Sequence, residues 1–256
     1  MNIFRLDDDP GVAARWHCNQ HVGKMMLEAA QMLSSVHWAH GYSGPNQRDD
    51  GNGPYKAHPT VNRWLGPYRW IEQSINNYRW TVALGVHLAN EWQLRYGTVH
   101  GCMTTLEWLR ANEPSLPDVA ETPFIPSTHY RSEALFEIPG DPVATCRRFY
   151  AFWTVAFRSG PTTWPAGSRP PWIDEILNSE EPAMLAEILE LLRDRRENTS
   201  RRMAKRHPTA QGEPKTRKAS TEPSLSPRRQ KLKKGGNHVN ERKTTQSGPP
   251  RHQKVG

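Results

Sequence analysis

Residues 17–33 (HCNQHVGKMMLEAAQML) constrain the fold more than any other part of this 256-residue chain. Met25, Met26, Leu27, Ala29, Ala30, Met32 and Leu33 fill most of a helical circumference, so the segment reads as a helix buried at the centre of a helical domain. Into that pattern the sequence sets His21, Lys24, Glu28 and Gln31, spaced i, i+3, i+7 and i+10 along one side. Ionisable groups are costly to bury unless paired, so the stripe calls for a cause. Two causes fit: a catalytic cleft, or a structural network with Lys24 and Glu28 paired one turn apart.

Around this helix the punctuation predicts an all-α, compact single domain with long loops. Asp8 or Asp9 before Pro10 predicts a helix start and a short helix to about residue 18. Asn19 is expected to cap the main helix, about 20–38, with Gly41 ending it. Residues 41–56, rich in Gly, Asn, Asp and Pro, read as a functional loop. A short helix is expected over 60–65, one long helix from Tyr68 to about Tyr96 ending at Gly97, and another from Thr98 to about Ala111. Residues 113–143 read as irregular, 142–157 as a helix, 159–171 as a second loop, and about 180–197 as a final amphipathic helix. All ten tryptophans precede residue 175, which confines the aromatic core or stacking surfaces to that region.

Charge divides the chain. Residues 201–256 hold 16 Lys/Arg and 3 Glu, whereas the first 200 hold 18 basic and 23 acidic residues. The reading is therefore a 1–197 domain and a disordered basic tail, 198–256, too poor in apolar residues to fold alone. Clusters such as 201–206 and Arg228, Arg229, Lys231, Lys233 and Lys234 suit a polyanion, because counterion release needs charge and not a fold. No run of about 18 apolar residues predicts a membrane span, and residues 1–9 lack a signal peptide's basic start and apolar core. Three separated cysteines fit a reduced, cytoplasmic protein. No phosphate-cradling Gly motif and no Gly-x-Ser-x-Gly occur, and no cofactor is expected. His17 and His21 have metal-ligand spacing, but no CxxC or HExxH supports it, and no metal is expected.

The motifs His21–Leu33, Tyr55–Pro59, Arg95–His100, Thr122–Phe124 and Pro170–Trp172 resemble a group of small phage-type proteins, over about residues 1–175. Their layout is similar to the bacteriophage endonuclease V family of pyrimidine-dimer DNA glycosylases, compact all-α proteins with an essential Glu seven residues after a His on the first long helix. His21 and Glu28 match that pair, and Arg169-Pro170-x-Trp172 resembles the family's Arg-Pro-x-Trp. The chain departs from the pattern in having Ile173-Asp174-Glu175 where an aromatic-basic run follows, and Asn2 where a small residue permits loss of Met and exposes an amine nucleophile.

The resemblance implies a DNA glycosylase/AP lyase working in a host cell's cytoplasm. Such chemistry needs an amine to attack C1′ and a carboxylate to help break the glycosidic bond. Glu28 supplies the carboxylate. Lys24 and the Met1 amine are the candidate nucleophiles, and His21 is a proton shuttle or phosphate holder. Asn2, Gln31, His58, Arg69 and Arg169 are candidate DNA contacts, and Trp172 a stacking platform. The expected partner is DNA. Two alternatives stand beside this reading: a DNA base (hyper)modification enzyme, and a non-catalytic nucleic-acid-binding protein that uses the basic tail.

Overall fold

A computed structural model of the chain describes residues 1–58, 65–127, 133–156, 162–179, 185–191 and 194. The chain divides into two units, Met1–Thr209 and Ala210–Gly256, and every described residue belongs to the first. That unit is all-α, with no strand among the described residues. Its helices are α1 (Pro10–Trp16), α2 (Asn19–Ala39), α3 (Gln47–Asp50), α4 (Gly66–Gln73), α5 (Ile75–Tyr96), α6 (Met103–Ala111), α7 (Glu133–Phe136), α8 (Pro142–Ala156) and α9 (Trp172–Ser179). A further helical stretch covers 185–191. The helix expected over 60–65 and the basic tail lie outside the described residues, apart from Leu65, as do parts of the helix expected over 180–197.

The centre is α2, packed against α5. Met25, Met26, Ala29, Ala30, Met32 and Leu33 are all buried, as the sequence required, whereas Leu27 is 38% exposed. Glycine at position 23 lets α5 approach closely. A Cβ there would stand 2.7 Å from Cζ3 of Trp92. Asp9 begins α1 as expected, its carboxylate accepting the Val12 N–H at 2.7 Å with Pro10 in the first turn. Gly97 closes α5 in the left-handed conformation, φ 71°.

Three expectations are corrected. The helix expected over 68–96 is two helices, broken at Ser74, whose backbone is extended (φ −156°, ψ 143°). Ser74 Oγ accepts the Asn76 N–H and donates to the Val119 carbonyl, while the Ile75 N–H bonds the Pro117 carbonyl. The residue-117–122 segment thus satisfies backbone groups that a continuous helix would have used itself. Asn19 is not the cap of α2. It is the first helical residue, and its amide spans Thr163 and Arg95. Finally, α3 and α7 are short helices in segments expected to be irregular, α3 being held by a capping box of Asn46 and Asp49, and α9 occupies the stretch between the second loop and the last expected helix, to which no element is assigned from sequence.

The N-terminal segment positions the site. Ile3, Phe4 and Leu6 are buried, each contributing about 1.5–3 kcal/mol. Fixing the backbone costs about 1–2 kcal/mol per residue, so the two effects nearly offset and polar anchors decide. Arg5 is such an anchor: it pairs with Asp8 and Glu121 and lies over the rings of Trp80 (4.8 Å) and Trp70 (5.4 Å). Phe4 stacks on His21 at 5.4 Å and meets Tyr150 edge-on at 5.0 Å. With residue 4 against residue 21 and residue 2 against residue 28, the segment runs along α2 towards that helix's N-terminus.

Candidate active site on the central helix

That register brings the N-terminus to the polar stripe. Glu28 Oε2 accepts the main-chain N–H of Asn2 at 2.6 Å, and Lys24 Nζ lies 3.7 Å from Oε1. The Glu28 side chain is 13% exposed and that of Lys24 57%. An ion pair with so exposed a partner contributes a few tenths of a kcal/mol. The short amide bond is therefore the stronger hold on the carboxylate. Asn2 is itself fixed, its amide donating to the Ser127 carbonyl at 2.8 Å and its Oδ1 accepting the Ile3 N–H. The result is a carboxylate held between a main-chain nitrogen and a lysine amine, close to the surface.

The stripe is graded in depth. His21 is buried, 1% exposed. Its ring lies 3.8 Å from that of Trp153, and its Nδ1 is 3.2 Å from the Tyr150 hydroxyl. The same hydroxyl accepts the Cys18 N–H at 2.9 Å. Burial pushes the Tyr150 phenol well above its usual range, so it is a neutral hydrogen-bonding bridge and not a base. His21 thus orients the N-terminal segment through Phe4, two turns along the helix from Glu28.

Four residues from His21, His17 is completely buried. Burial lowers it to about 4, against its Nδ1 bond to the Ala13 carbonyl and with Arg95 nearby. His37 bonds Tyr78 and His40 lies near Glu72. Among the described residues, no three His, Cys, Asp or Glu side chains converge as a metal site.

Of the candidate DNA contacts, Gln31 and His58 are brought together. They line one cleft of about 400 Å³ beside α2 with Leu27, Gln47, Arg48 and Lys56. Arg69 is exposed on α4. Arg169 pairs with Asp174 and lies over Trp164 at 5.1 Å. Trp172 is 8% exposed, edge-on to Trp16 at 5.7 Å, with Arg147 over its ring. None of these three lines the cleft. Arg228, Arg229, Lys231, Lys233 and Lys234 lie outside the described residues.

Arg48 and Gln47 also line the cleft, and the sequence signal for them is the Asn46-x-x-Asp49 spacing, a capping box that turns a loop into a helix and presents the residues between. Arg95 is a clamp, bonding the carbonyls of Arg15 and His17 and the side chains of Asn19 and Glu91. It thereby fixes the start of α2.

No helix among the described residues is long and apolar enough to cross a membrane. Comparison with models of protein families, with curated proteins and with solved structures finds no match to this chain.

Proposed function

We propose that the chain is a DNA-acting enzyme, a DNA glycosylase/AP lyase of the pyrimidine-dimer type, with its reaction centred on Glu28. The observation that carries the reading is the Glu28 carboxylate, 2.6 Å from the Asn2 nitrogen and 3.7 Å from the Lys24 amine. An amine and a carboxylate side by side are the minimum for this reaction. The amine nitrogen bonds C1′, the C1′–N glycosidic bond breaks, and the base leaves with a proton. The C1′–O4′ bond then opens, the ring oxygen taking a proton to become the C4′ hydroxyl, and the nitrogen, having lost a proton to solvent or carboxylate, is left doubly bonded to C1′ as a Schiff base. The candidate amines are Lys24 and the amino group of Met1, one residue from the Asn2 nitrogen that is bonded to Glu28. His21 and Phe4 position the segment, and the basic tail supplies sequence-independent attraction to the DNA backbone.

The test is Glu28→Gln on duplex DNA carrying an abasic site or a pyrimidine dimer. Gln keeps an acceptor for the Asn2 N–H, so folding is preserved. The expected result is at least about a hundredfold loss of cleavage with DNA binding intact. Cleavage at the wild-type rate overturns the proposal.

A further inference from the structure

The cleft beside α2 contains more chemistry than the reaction centre uses. One wall is Leu27 and Gln31 of α2; the other is Gln47, Arg48 and the Tyr55–His58 strip. That second wall is pinned to α2 at three points. Ser34 Oγ accepts the Tyr55 N–H (3.0 Å), Ser35 Oγ accepts the His58 N–H (3.2 Å), and Trp38 Nε1 donates to the Tyr55 carbonyl (2.7 Å). The Gln47 N–H bonds the Pro54 carbonyl, and the Asn46–Asp49 capping box closes the loop behind it. The cleft is therefore built in advance of any ligand, which lowers the ordering cost of binding.

Its lining is selective. Arg48 and Lys56 are exposed, and neither pairs with a carboxylate among the described side chains. Asp49, the nearest acidic neighbour in sequence to Arg48 with a described side chain, is turned into the capping box. Two cations on one wall of a cleft, with no carboxylate partner among the described side chains, favour a phosphate. The side-chain amides of Gln31 and Gln47 make no hydrogen bond to described residues, and each offers both donors and acceptors, as the edge of a nucleobase does. Leu27 supplies an apolar floor against which a base can lie flat. Tyr55 serves as wall only. Burial, with Cys102 bonded to its hydroxyl, pushes the phenol up to about 12. About 400 Å³ accommodates one nucleotide and little more.

We propose that this cleft binds a single nucleotide, its phosphate held by Arg48 and Lys56 of one wall and its base lying against Leu27 within reach of the two glutamine amides. The ligand is a nucleotide free in solution or one held out from a strand. The inference rests on the proposed function only in taking that nucleotide to be a deoxynucleotide.

Calorimetric titration of the full chain tests it without any reaction. The probes are the four deoxynucleoside 5′-monophosphates, thymidine, inorganic phosphate and a six-nucleotide single strand, each against wild type, Arg48→Gln/Lys56→Gln and Gln31→Ala/Gln47→Ala. Every variant retains the basic tail, so differences report the cleft. The expected result is mononucleotide binding that weakens about tenfold or more in the cation variant, with thymidine and inorganic phosphate binding at least tenfold more weakly than the best mononucleotide. A strand that binds more tightly than the mononucleotides, with the same losses in both variants, identifies the strand-borne source; equal or weaker strand binding identifies the free nucleotide. Equal affinity in wild type and the cation variant overturns the proposal, as does phosphate binding as tightly as any nucleotide. Glu28→Gln is expected to bind the mononucleotide as wild type does, so failure of the glycosylase reading and failure of the cleft are separate results.

Discussion

Burying His17 as a neutral imidazole makes stability depend on pH with a predictable sign and size. The ring is fully buried and its folded-state value is lowered from 6.5 to about 4, chiefly by burial. The unfolded chain therefore binds more protons than the folded chain between about pH 6.5 and 4. The His17 contribution is complete above pH 7 and is lost as pH falls through that window. At about 1.4 kcal/mol per pH unit between the two values, the loss from pH 7.5 to pH 5 is about 2 kcal/mol, approaching about 3 kcal/mol below pH 4. His37, also lowered to about 4 by burial, adds to the same trend. The assay is urea unfolding at pH 7.5 and 5.0 for wild type and His17→Asn. Asn retains a donor for the Ala13 carbonyl but does not titrate. The variant is expected to be less stable at pH 7.5, because a ring leaves the core, yet to lose about 2 kcal/mol less than wild type on acidification. An identical loss in both proteins refutes the argument that His17 is held neutral.

Ser74→Ala removes the cap of α5 and the bond to Val119, and is expected to cost about 1–2 kcal/mol in chemical unfolding. Gly23→Ala gains helix propensity but drives a methyl into the Trp92 ring. A net loss of about 1–3 kcal/mol and an altered tryptophan fluorescence spectrum are expected, and a gain in stability would show that α5 yields at this point. Tyr150→Phe leaves the Cys18 N–H without its hydroxyl acceptor and is expected to cost about 1–3 kcal/mol, read as a lowered thermal midpoint.

Much of the fold was legible because periodicity and caps act locally. The buried sides of α2, the Asp9 cap and the Gly97 stop all depend on residues close in sequence. The break at Ser74 was not legible, because what opens the helix is the Pro117 and Val119 carbonyls, far away in sequence. For the site, helical spacing placed Lys24, Glu28 and Gln31 on one side. It gave no depth, and depth separates the buried His21 from the exposed Lys24. Trp172 fits a stacking platform by composition, yet packing among Trp16, Arg147 and Tyr150 leaves it 8% exposed. The contact between Asn2 and Glu28 joins residues 26 apart and follows from Phe4 docking on His21, a tertiary event that no local pattern announces.

The most direct test of the account is borohydride trapping on abasic duplex DNA, followed by peptide mapping of the adduct. A covalent protein–DNA adduct is expected on the Lys24 amine or the Met1 amine, and it is lost in Glu28→Gln. Absence of any adduct from folded, DNA-binding protein contradicts the claim that the polar stripe of the central helix is a reaction centre. It leaves base modification or plain nucleic-acid binding as the function, and Glu28 as an anchor for the N-terminus.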